Sequence, residues 1–567
     1  MKNYLPWGGI LVLLTGLIFW TGSEPQAFAE TPQFIQGTNP KYEVGDWISY
    51  TDTQYMNSIA IGNRYVYFAT TGGIARYDFY GNRWARPFTL SDGLPDNDIL
   101  TVAFDFESGS VYCAGALALS VRDPASKRWT NYSYREIGVG RQRVHSIGFD
   151  NEYVYLVTTG NAAYRGRRNS TRFESIALNR LMHASADSIA WFGRLGYKRL
   201  SLPNFLMNSS LLFFPDDARP YFQDVNDRDF EVKYYVEDPW QFLWLGTWGL
   251  GGAKANMRTN FLEMIPFGLI EKDVNAIATN GDEMWLGGIN YGAPIHGITR
   301  WNRKTGDWVY YEARYIMGLR SDDVTSIAPD GRYVWFGTLD GLSLLDRQKN
   351  DWVSFTILNG LADNHVYDVV VDSDFIWVAT EEGLDRVDKA LAARDTLSVK
   401  HITRPRDKVP VYDIEMDSNL VWAATGYGVY VYNRTNQKGG YYSGANGPGT
   451  ASVFGVSVSG NEVWFATRYG VEAYNKSEKK WMGPPARHLV PDLKAFAIRA
   501  TPKAVWLGTT NGVYKYDRRR DFWRKFSQID GLLDPRVQDI LPDGNYIWFG
   551  TREGLTRFYW NAPYRID

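Results

Sequence analysis

The chain carries a single cysteine, Cys113, in 567 residues. An internal disulfide is therefore excluded, and the fold must be held by packing and hydrogen bonding. Cys113 stands where sister segments carry Phe or Leu, which reads as a buried thiol and not a nucleophile. Histidine is almost as scarce, at six residues. His145, His183, His296, His365, His401 and His488 are scattered, with no metal-ligand spacing, so structural roles are expected for them. Neither sign of charge is in excess: 61 Lys and Arg stand against 63 Asp and Glu, a formal −2 with pI near 6.4. That leaves no electrostatic footprint for nucleic acid. The short basic runs Arg165 to Arg168 and Arg518 to Arg520 read as solvated loop charge. No nucleophile elbow, phosphate-cradling glycine loop or zinc signature occurs. The expectation is a protein that is not an enzyme, with no catalytic residue, no metal and no cofactor.

Long apolar runs are also missing, apart from Ile10 to Trp20. This stretch is too short for a membrane span, which takes about 20 residues. With Lys2 before it and Ala27-Phe28-Ala29 after it, it reads as a signal peptide, residues 1–29, cleaved after Ala29. The short apolar stretch counts against an uncleaved anchor. No cysteine lies near the cut, so no lipid anchor is expected there. The expected location is the periplasm or the outside of a bacterial cell, with no membrane span after cleavage.

What the chain has in quantity is aromatics and glycine: 22 Trp, 37 Tyr and 54 Gly. That mixture fits short strands joined by tight turns. The length exceeds the ~250–300 residues at which a single core stops growing, so several domains or a repeat architecture are implied. One phrase recurs: apolar, Trp, apolar, Gly, Thr, two variable residues, Gly, then an apolar run ending in Asp or Asn. Val334 to Asp346 is the clearest copy. Twelve copies can be counted, with anchors Tyr67, Tyr112, Tyr155, Trp191, Trp244, Trp285, Trp335, Trp377, Trp422, Trp464, Trp506 and Trp548. Their gaps run from 36 to 53 residues and centre near 43, the period of a four-stranded propeller blade. The seventh copy parses into strands Val324 to Ala328, Tyr333 to Thr338, Leu342 to Asp346 and Trp352 to Phe355. Two residues beyond each anchor stands Gly in six copies and Ala in five. It shares a face with the anchor, where a small residue lets a neighbouring blade approach.

An all-β propeller of about twelve four-stranded blades is expected. Twelve exceeds the usual four to eight per ring, so two rings are anticipated. Six plus six, seven plus five and one wide ring all stay open. The last copy lacks an outer strand, and Trp47 to Tyr50 is an orphan strand at the other end. Pairing these with Leu555 to Tyr559 would latch a ring shut. The expected division is residues 30–200 sharing a propeller with 441–567, and 201–440 as a middle propeller, with a crossover between Tyr197 and Tyr235.

The phrase resembles the repeat of the two-component regulator propeller family. Gly246 to Gly252 carries the likeness, with the linkers Asp92 to Asn97, Asn359-Gly360-Leu361 and Asp530-Gly531-Leu532. It covers about residues 47 to 560; Gly115 and Arg194 depart from it where Thr is expected. The resemblance implies paired propellers of the kind found in periplasmic sensor halves of hybrid receptors that respond to polysaccharide fragments. No kinase region is recognised here, so a stand-alone binding or accessory role is expected.

On a rigid repeat frame, function sits in the residues that vary. The second-to-third-strand turns and the inter-blade linkers emerge on one face. Candidate ligand-binding residues there are Trp248, Tyr291, Asp340, Glu381, Glu382, Tyr427, Arg468, Tyr469, Arg552 and Glu553. Rings that stack and carboxylates that accept hydroxyl protons suit a polysaccharide or oligosaccharide. An envelope protein partner, making the chain a scaffold in assembly or secretion, is the alternative. A propeller enzyme acting on polysaccharide is a second. Asp216, Asp217, Asp224, Asp227 and Asp229 form the one stretch with enough oxygens for calcium, but without the spacing of a known loop.

Overall fold

The computed structural model describes residues 42–565, apart from 169, 180, 182–187, 217–218, 393–396, 404–407, 450–451, 483–493 and 564. The expected signal segment, His183, His488 and Asp217 lie outside the described residues.

Local sequence sets the strands. In the Trp335 copy the four strands are Val324–Asp330, Tyr333–Thr338, Gly341–Asp346 and Asp351–Phe355, paired in chain order. Gly331 and Gly341 turn the chain with φ of 57° and 111°, a region open to glycine at little cost. Trp335 is fully buried among Val366, Val369 and Ile376 of the following blade. A Cβ on Gly337 would come within 2.8 Å of Val366 Cγ1. The small residue is thus what allows the next blade to seat.

Among the described residues the strands assemble into eleven sheets of four to seven strands, not twelve. The Trp191 copy makes no blade of its own. Its single strand, Ala190–Gly193, pairs with Val144–Phe149, the inner strand of the Tyr155 sheet, and extends it to five. Arg194 occupies the usual Thr position, and Gly193 turns the chain with φ of 74°. Among the described residues no third and fourth strand follow it in the usual pattern.

Seven sheets, those of Trp285, Trp335, Trp377, Trp422, Trp464, Trp506 and Trp548, stand round one channel to which each contributes its inner strand. Side chains stitch neighbouring inner strands. Val369 N donates to Ser326 (3.1 Å), Ile414 N to Asp368 (2.9 Å), Val456 N to Asp413 (2.7 Å) and Ala500 N to Ser457 (3.0 Å). Ile277 N donates to Asp539 (2.8 Å), joining the first of these sheets to the last. Inner edges bare of a strand partner are satisfied this way.

The last sheet is completed from the other end of the chain. Trp47–Tyr50 runs antiparallel to the strand Gly554–Phe558, with Trp47 opposite Phe558 and Tyr50 opposite Leu555. Trp47 stacks on Phe558 at 3.9 Å. The four remaining sheets span residues 56–265 and form a body inserted directly after this strand. The arrangement differs from the expected division at 200 and 441. One strand is all that the latch draws from the N-terminal part, so the chain leaves the ring at Thr51 and re-enters it near Val274.

Candidate ligand-binding face

Six of the seven inner strands carry a bulge at their start. The register slips between Val324 and Ser326, Val366 and Asp368, Val411 and Asp413, Val453 and Gly455, Ala495 and Ala497, and Val537 and Asp539. A bulge leaves one residue unpaired and re-aims it. The residues so released are Thr325, Tyr367, Tyr412, Phe454, Phe496 and Gln538, and all line the channel. Four are aromatic and sit on consecutive blades. Tyr367 meets Tyr412 edge-on at 5.2 Å, and Tyr412 lies 5.5 Å from Phe454. His365 stacks on Tyr367 at 4.4 Å, and the Tyr367 hydroxyl donates to Glu381. Arg536 lies 5.0 Å over Phe496. All four rings are half-buried, each with a solvent-facing part.

Below these rings the channel becomes charged. Its cavity volume is ≈ 260 Å³. Arg499 approaches Asp539 at 3.5 Å and Asp413 at 4.0 Å. Burial opposes its charge, but Asp539, Asp413 and Glu415 hold the guanidinium protonated, above its ordinary value. Burial pushes the Asp413 carboxyl well up, and the nearby Asp368 adds to this. Asp539 and Glu415 are raised by burial too, with Arg499 opposing. Asp368, Asp413 and Asp539 each accept a backbone N–H from a neighbouring blade. These carboxylates are committed to the ring itself and to Arg499. Asp368, Asp413 and Asp539 thus tie neighbouring blades together along the channel wall.

The residues expected from sequence lie on the second-to-third-strand turns. Tyr291, Tyr427 and Tyr469 are exposed, as is Arg468. Arg552 lies 5.5 Å over the Tyr291 ring, and Glu553 faces Lys272 at 3.3 Å. Glu381 reaches the aromatic row through Tyr367, whereas Glu382 pairs with Lys408 at 2.6 Å. Asp340 is engaged by Arg320 at 2.8 Å and by Asn364. Trp248 belongs to the inserted body, edge-on to Tyr55 at 5.1 Å. The aromatic row itself went unread in the sequence. Its signal was present: Tyr367, Tyr412, Phe454 and Phe496 each follow the first buried residue of an inner strand, where Thr325 and Gln538 stand in sister copies.

The acidic stretch is not gathered round a vacancy. Asp224 bonds Arg228 at 2.6 Å and the Tyr315 hydroxyl, which hold its carboxyl down to about 2 against the effect of burial. Asp229 accepts from Gln223. Among the described residues no group of three or more His, Cys, Asp or Glu is placed to hold a metal ion. Cys113 is fully buried, and burial pushes its thiol well up. No helix among the described residues is long and apolar enough to cross a membrane.

No protein-family model matches the chain, and no curated protein does. Solved structures do. The chain is similar in fold to PorZ. That protein is an essential bacterial surface component of the type-IX secretion system of Porphyromonas gingivalis. Identity is 14%, over 91% of this chain and 87% of that one, with a TM-score of 0.58. Extracellular domains of the putative hybrid two-component systems BT4673 and BT3049 from B. thetaiotaomicron also align, each at 16% identity. They cover 90% and 91% of this chain and 77% and 76% of their own, with TM-scores of 0.45 and 0.43. At such identities the likeness to PorZ is one of fold.

Proposed function

We propose that this is an exported binding protein whose seven-sheet ring takes a glycan at the mouth of its channel. The observation that carries the reading is the contiguous row Tyr367, Tyr412 and Phe454, beside Glu381 and lining the channel. Half-exposed rings offer apolar faces for a sugar, and the adjacent carboxylate accepts hydroxyl protons. The turn residues Tyr291, Tyr427, Arg468, Tyr469, Arg552 and Glu553 would form the outer rim of the same face. Binding, not hydrolysis, is favoured because Asp368, Asp413 and Asp539 already hold backbone N–H groups of neighbouring blades. Export rests on the signal segment read in the sequence.

A glycan array probed with the mature chain tests this. Selective binding is expected, weakened at least tenfold by Tyr412→Ala with little change in melting temperature. Silence across all glycans would favour the second reading, a scaffold in envelope assembly or secretion, to which the likeness with PorZ lends support.

A further inference from the structure

The outer rim of the Trp422 blade differs from its sisters. In each blade of the ring, one outer-strand residue lies across from the anchor Trp on the same sheet face. Val309, Val353, Lys400, Met482 and Arg524 hold that place opposite Trp285, Trp335, Trp377, Trp464 and Trp506. In the Trp422 blade it is Gly440. A Cβ placed on Gly440 would meet nothing within 4 Å. The missing side chain opens a groove of ≈ 570 Å³ between this blade and the next. Trp422, Val431 and Tyr442 form one wall and Tyr474 the other. Lys438 and Lys479 stand exposed on its rim, and neither forms an ion pair among the described residues.

The strand bearing Gly440, Lys438–Tyr442, is the outermost of its sheet. Its outer edge pairs with no strand among the described residues. Elsewhere in this protein such an edge does accept a strand. In the Trp244 sheet, Leu206–Met207 lies parallel beside the outer strand Phe261–Ile265, with Leu206 N donating to Asn260 O at 2.7 Å.

We infer that the Trp422 blade is a peptide-docking site, taking an extended acidic segment of a partner protein that places one bulky apolar side chain in the groove over Trp422. Each feature of the ligand answers one of the site. The bare edge supplies backbone hydrogen bonds to an added strand. The groove replaces the side chain that sister blades supply from within. The two lysines attract carboxylates flanking the anchor. The site lies on the outer rim, separate from the channel mouth, so it does not depend on the glycan reading.

Synthetic nine-residue peptides test it, with a central Trp, Leu or Ala and with Glu, Ser or Lys flanks, their binding to the mature chain read by fluorescence polarisation. Glu-flanked peptides with Trp or Leu should bind at least tenfold more tightly than those with Ala or with Lys flanks. Gly440→Met should lose at least tenfold of that binding and leave the melting temperature and any glycan binding unchanged. The exposed double change Lys438→Glu, Lys479→Glu should shift the preference towards Lys flanks. Equal binding of all peptides, or full binding by both variants, would overturn the proposal. So would a preference for Ser or Lys flanks in the unaltered protein.

Discussion

Where the repeat carries its threonine, that side chain closes the second-to-third-strand turn on itself. Thr338 Oγ1 donates to Gly341 O at 2.8 Å and accepts from Asp340 N at 3.1 Å. The same clasp to a glycine carbonyl recurs at Thr70, Thr380, Thr425, Thr467, Thr509 and Thr551. Thr338 is fully buried, and Thr338→Val removes both of these bonds. A loss of about 1–3 kcal/mol is expected in urea melts. Trp335→Ala acts by a different route, emptying a volume between two blades. It should cost about 3–5 kcal/mol, and a loss under about 1 kcal/mol would contradict its placement there. Both letters were legible in the sequence, since both recur at fixed spacing. The reason for Trp and Gly followed from strand periodicity. The reason for Thr did not, because nothing in a periodic pattern says which way a hydroxyl turns.

At the scale of the strand, the latch was legible from a deficit. The last repeat lacked an outer strand, and Trp47 to Tyr50 was a strand without a repeat. What a count of anchors could not reveal was that the Trp191 copy lends one strand to a neighbouring sheet. Its anchor matched the phrase, but the residues after Arg194 supplied no third strand. The bulges were hidden for a similar reason: a one-residue slip of register leaves no mark on composition and shows only in pairing. The latch makes its own prediction. Trp47 is nearly buried, and Ser49 bonds both Ser91 and Thr556. Trp47→Ala should cost about 3–5 kcal/mol. Because it frees the edge of Gly554–Phe558, it should also promote concentration-dependent association on warming, visible by size-exclusion chromatography. Trp335→Ala, which frees no edge, should not do so at equal stability.

For the molecule as a whole, the decisive place is where the chain passes between the ring and the inserted body. The outgoing segment lies against the returning one. Leu269 N donates to Thr51 O at 2.9 Å, Thr53 Oγ1 to Phe267 O at 2.7 Å, and Gln54 Nε2 to Phe267 O at 3.0 Å. Two carboxyls sit at this crossing. Burial pushes Asp52 up to about 7, against the Gln54 N–H and Lys272. Burial likewise pushes Glu271 up to about 7, with Asp273 and Asp52 adding repulsion. In the unfolded chain both would lose their protons near pH 4. Between about pH 4 and 7 the folded protein therefore holds more protons than the unfolded one, and stability falls as pH rises through that window. The fall should be on the order of 4 kcal/mol for the pair, less than the sum of separate effects because each shift already includes the repulsion between the two groups. Asp52→Asn keeps an oxygen for the Gln54 N–H and removes the ionisation. Combined with Glu271→Gln, it should flatten the pH dependence of urea midpoints between pH 5 and 8 and raise stability at pH 8. A double variant that still lost stability across that range, with the slope of the native protein, would show that the crossing does not carry the effect.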